Sequence, residues 1–144
     1  MQSMSSIETL AHDIKMISSE IVSKPSSNVS RSLLIQALDC STVSMIICAA
    51  DDLNTIIYVN NAFVEDSGYS KEEAIGQPFC FLQGRDTECP EVSEVFDAKV
   101  SAEISLIECH KDGTCGMNRL RLSPVLDCDG VVYAFIVVKV VKDA

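Results

Sequence analysis

The chain has 144 residues, 47% of them apolar, which suits one domain with its own packed core and argues against wholesale disorder. Its 11 basic and 21 acidic residues give a formal net charge of -10, which repels phosphate backbones and anionic lipids and so excludes nucleic acid and membrane surfaces as expected partners. The longest unbroken apolar run, Val131–Val138, is too short to span a bilayer, and no signal peptide opens the chain, so a cytoplasmic location is expected.

In chain order, Ile7, Leu10, Ile14, Ile17 and Ile21 recur at intervals of 3 and 4 residues, the seam of an amphipathic helix. So short a seam needs a partner, which predicts a dimerising or docking helix. Pro25 and the small polar residues around it end the seam, so residues 1–29 form a helix and linker and residues 30–144 the domain. A second helix is expected over Ser32–Leu38, capped by Ser30. Strands follow at Val43–Ala49 and Thr55–Val59 around the turn Asp51–Asn54. Asn60–Ser67 is a short helical turn with Phe63 and Val64 inward, stopped by Gly68. Ser70 and Glu73 make a capping box, and Gly76 closes that helix. Pro90 opens a longer helix over Glu91–Val100, with Val92, Val95, Phe96 and Lys99 on one side.

The last third is all strand: Ile104–Cys109, Thr114–Leu126 and Val131–Val141, joined by turns at Lys111–Gly113 and Asp127–Gly130. The fold class is α+β, a five-stranded antiparallel sheet with short helices on one face and an N-terminal helical cap. On the last strand Tyr133, Phe135 and Val137 alternate with Ala134, Ile136 and Val138, so both faces must be covered. The N-terminal helix or a second subunit is expected over Ala134, Ile136 and Val138. The seven cysteines form no CxxC pair and mostly sit among apolar residues, which predicts small reduced thiols.

The runs Ile56–Phe63, Ser67–Ser70 and Gly76–Gly84, with Asp86-Thr87, Lys111-Asp112-Gly113, Asn118 and Pro124, resemble the PAS superfamily and, within it, the light-oxygen-voltage (LOV) photosensors. The resemblance covers about Leu33 to Val141. It implies a blue-light sensor holding flavin mononucleotide (FMN) between sheet and helices, with a cysteine that forms a transient flavin adduct. In register with Phe81-Leu82-Gln83, the position of that cysteine is Phe79 and Cys80 stands one residue later, turned by roughly 100° on a helix. The two phosphate-binding arginines of the resemblance fall on Cys80 and Phe96, which cannot pair with phosphate. Arg85 lies nearby in sequence, at a different place. Of the two asparagines that read the flavin edge, Asn118 is kept and the other is Glu108. Gln83 is kept, while the signalling glutamine of the last strand is Lys139. Glu108 and Lys139, opposite charges replacing neutral groups of one pocket, are expected to form a partly buried ion pair.

Hydrolytic and transferase motifs and glycine-rich phosphate loops are absent from the sequence, and His110 reads as a solvated turn residue, so no enzymatic activity is expected. The resulting expectation is a sensory PAS module that works by homodimerisation or docking and reports to an effector domain or a partner protein, without the cysteinyl-flavin adduct. The alternative is a flavin-binding photoreceptor of altered chemistry.

Overall fold

The computed structural model describes residues 27–83 and 90–140. Helix α1 (Ser27–Cys40) leads into strands β1 (Met45–Ala49) and β2 (Ile56–Val59). Two short helices, α2 (Asn61–Ser67) and α3 (Lys71–Ala74), a 3-10 turn (Phe79–Gln83) and α4 (Pro90–Ala98) follow. The chain then runs through β3 (Ala102–Cys109), β4 (Cys115–Leu126) and β5 (Val132–Lys139). The five strands form one antiparallel sheet, as the sequence leads one to expect, and their order in it is β2-β1-β5-β4-β3.

Alternation along the strands splits the apolar residues between two layers. Ile46, Cys48, Leu120, Leu122, Phe135 and Val137 face the short helices, where Phe63, Phe79, Leu82, Val92 and Phe96 complete the main core. On the other face Ile47, Ile57 and Ala134 pack with Leu34, Ile35 and Leu38 of α1. The continuously apolar β5 is thus covered from both sides. The cover over Ala134 is α1, not the N-terminal helix or second subunit expected there, and α1 is longer than the predicted Ser32–Leu38. Ser30 lies inside it rather than capping it, and Ser27 and Asn28, assigned to the linker, are helical. Packing of Leu34, Ile35 and Leu38 on the sheet outweighs the weak helix propensity of the serines around them. Ile7, Leu10, Ile14, Ile17 and Ile21 lie outside the described residues.

Local chemistry places the turns. Asn60 caps α2 by accepting from the Phe63 N–H at 3.0 Å. Gly68 ends α2 at φ +83, a conformation that suits glycine. The capping box of Ser70 and Glu73 forms in full. Lys99, predicted on the inner side of the long helix, has instead left it at φ +56 and is exposed, because the helix stops at Ala98.

Candidate functional site

The inner face of the sheet carries a polar group at one end. Asn118 projects from β4, Glu108 from β3 and Lys139 from β5, and Asp66 meets them from α2. Asn118 Nδ2 donates to Glu108 Oε1 at 2.8 Å. Lys139 Nζ pairs with Asp66 Oδ2, also at 2.8 Å. The expected Glu108–Lys139 ion pair is therefore not made. Asp66, the last residue but one of α2, offers Lys139 a carboxylate nearer the solvent, and Glu108 turns to Asn118. Asp66 went unrecognised as a pocket residue, although its spacing of three from Phe63 puts both on one helix face.

Burial pushes the Glu108 carboxyl above its ordinary range, and the charge of Asp66 adds to this. The Asn118 hydrogen bond and the charges of Lys139 and His110 oppose it without cancelling it. Glu108 Oε2 and Gln83 Nε2 are both buried without a hydrogen-bond partner among the described residues. Gln83 is only 3% exposed, so its amide is a donor held away from water.

The centre of the layer between sheet and helices is apolar and filled. Phe79 and Phe96 meet edge to face at a ring separation of 5.4 Å, and Phe96 meets Phe135 in the same way at 4.9 Å. Phe79 is 1% exposed and Cys80 is exposed, so the aromatic ring faces the core and the thiol faces away. Burying one such ring contributes roughly 1.5–3 kcal/mol, and each edge-to-face pair roughly 0.5–1.5 kcal/mol more.

The partly open cavity lined by Phe63, Leu82, Glu108, Asn118 and Lys139 among others has a volume of about 20 Å³. That is the space of about one water molecule, against at least ~300 Å³ in ordinary cofactor pockets. A flavin does not fit between these residues as they stand. Phe79 and Phe96, which stand where the resemblance puts the adduct cysteine and a phosphate-binding arginine, are packed together in the core, and the Asn118 amide donates to Glu108. A wider hollow of about 350 Å³, with Asp66, Asn118, Arg119 and Lys139 in its lining, opens at the sheet surface outside the core. Arg85 lies outside the described residues.

The cysteines differ from the expected set of reduced thiols. Cys109 and Cys115 face each other across the β3–β4 register and are joined as a disulfide. Cys48 is buried, whereas Cys40, Cys80 and Cys128 are exposed. The sequence held a signal for the pair, since both residues stand at equal distance from the turn residue Asp112. Among the described residues no cluster of three or more His, Cys, Asp or Glu is placed to hold a metal ion.

On the outer face Ala134 is fully buried within the chain's own second layer, while Ile136 and Val138 are half-buried. Beside them Arg121 and Arg119 share Glu103, at 3.4 and 3.8 Å. Of the residues expected at an interface, Ile136 and Val138 are thus the described ones with surface left to offer.

A sequence profile of the PAS domain matches residues 42–143. The blue-light photoreceptor of Listeria monocytogenes is 40% identical over 99 residues, covering 66% of this chain and 39% of that protein. The blue-light-activated histidine kinase 1 of Erythrobacter litoralis is 33% identical over 84 residues, or 56% of this chain and 23% of that protein. The chain thus spans well under half the length of these curated relatives. Among solved structures, a light-oxygen-voltage domain studied with a flavin analogue aligns with a TM-score of 0.64 at 26% identity, over 76% of this chain and 86% of that one. An RNA-binding light-oxygen-voltage receptor shares the fold with a TM-score of 0.73 at 20% identity, over 83% of this chain and 35% of that one. The chain belongs to the PAS domain family, with blue-light photoreceptors of the light-oxygen-voltage type among its relatives.

Proposed function

We propose that this PAS module is a cytoplasmic, non-enzymatic signalling element that works through its outer sheet face, without a cysteinyl-flavin adduct. The observation that carries the reading is the aromatic stack. Phe79 and Phe96, at two positions where the resemblance puts flavin-handling side chains, pack against each other in the core. Signalling then rests on protein contacts, and the occupant proposed for the outer face is a second copy of the chain. The apolar seam of Ile7, Leu10, Ile14, Ile17 and Ile21, just ahead of α1 in sequence, joins Ile136 and Val138 in that dimer. An effector domain or partner protein takes the output. Among the described residues no helix is long and apolar enough to cross a membrane, and the acidic charge disfavours nucleic acid.

The test is Ile136→Glu, which puts a charge at the centre of the proposed face. The wild-type chain should sediment as a dimer and the variant as a monomer with unchanged circular dichroism. A variant that keeps the wild-type mass, or a wild-type chain that is monomeric at high concentration, would overturn the dimer.

A further inference from the structure

The β3–β4 hairpin is held in two different ways at its closed end. Within the hairpin, the last register pair is the Cys109–Cys115 disulfide. Across to the helical layer, the Lys111 N–H donates to the Ser67 carbonyl at 2.9 Å, and its ammonium pairs with Glu73. Gly68 lies so close to the turn that a Cβ there would meet the Lys111 Cβ at 3.4 Å. That ion pair is exposed and contributes little. Cys109, together with its neighbours Glu108 and His110, also lines the small cavity. The disulfide therefore stands between the cavity wall and the contact that fastens the hairpin to α2. Cys115 is exposed, so a dissolved thiol can reach the bond.

We infer that Cys109 and Cys115 are a thiol–disulfide switch that sets how firmly the β3–β4 hairpin closes over the cavity. The oxidant is a low-molecular-weight disulfide of the glutathione class. One protein thiolate attacks it, forming a mixed disulfide and releasing one small thiol. The second protein thiolate then attacks the protein sulfur of the mixed disulfide and releases the second. Two protein thiols lose two electrons, the small disulfide gains them, and the two thiol protons leave with the two released thiols. In the reduced state the end of the hairpin keeps its backbone pairs, the exposed His110–Thr114 and Thr114–Asp112 side-chain hydrogen bonds and the Lys111 contacts, but no covalent link. It opens more often, exposing Glu108 and Asn118.

The test equilibrates the full chain in a series of oxidised-to-reduced glutathione ratios. Free thiols are alkylated, the peptides carrying Cys109 and Cys115 are weighed, and amide hydrogen exchange is followed in parallel. The pair should convert within the series. The amides of residues 107–117 should exchange at least about tenfold faster in the reduced form, while β1 and β2 stay unchanged. The double variant C109S/C115S should show the fast exchange at every ratio. A pair that stays bonded, or stays reduced, across the whole series overturns the switch. So does equal exchange in the two forms of the wild-type chain, a result that does not depend on the variant folding.

Discussion

One carboxylate oxygen of Glu108 accepts from Asn118 while the other is buried without a donor among the described residues. Desolvation is the largest influence on this carboxyl and raises its pKa. A raised carboxyl favours folding below its ordinary pKa, and that contribution is lost as the pH rises through the raised value, because the buried charge must then be carried. Glu108→Gln keeps an oxygen for Asn118 and removes the charge. It should raise Tm at neutral pH by about 3 °C, or about 1 kcal/mol, and the difference should shrink towards zero in acid. Thermal melts of both proteins across the acid range check this. A variant less stable than the wild type at neutral pH would mean that the charge is compensated.

The elements owe their arrangement to a few polar side chains as much as to apolar pattern. Asn60 is fully buried and makes four hydrogen bonds. It accepts from Met45 and Phe63 N–H groups, each at 3.0 Å, and donates to the carbonyls of Leu38 at 2.8 Å and Val43 at 2.9 Å. One side chain thus ties α1, the start of β1 and the first turn of α2. Asp39 adds a second tie from α1, accepting from Tyr58 at 2.9 Å and from Lys71 at 3.1 Å. Asn60→Ala leaves four buried or half-buried backbone groups without these partners and should cost about 2–4 kcal/mol, read from the midpoint of denaturant unfolding. A loss below about 0.5 kcal/mol would show that water replaces the side chain freely. Local signals of this kind were legible in the sequence, as with the Ser70–Glu73 capping box and the glycine stop after Ser67. The length of α1 and the exit of Lys99 were not, because contacts distant in sequence decide them.

Across the whole molecule, the alternation of β5 and the spacing of the turns encode the five-stranded sheet and the cover on both its faces, but not that α1, rather than the N-terminal seam or a second subunit, packs over Ala134. The site was legible in part. The resemblance to the light-oxygen-voltage photosensors gathers the site's residues into one pocket but does not give their pairing. Which carboxylate Lys139 chooses depends on where α2 sits against the sheet, and no short-range pattern encodes that. The filling of the centre by Phe79, Phe96 and Phe135 likewise joins three distant segments.

That stack carries the central claim, and an absorbance spectrum tests it most directly. The spectrum is taken on the purified chain, then again after refolding with excess FMN and removal of the unbound fraction. The account predicts no flavin band in the blue in either sample. A structured flavin band that stays with the protein would contradict it. Phe79 and Phe96 would then have to swing out of the core, and the unpartnered amide of Gln83 would have met its ligand.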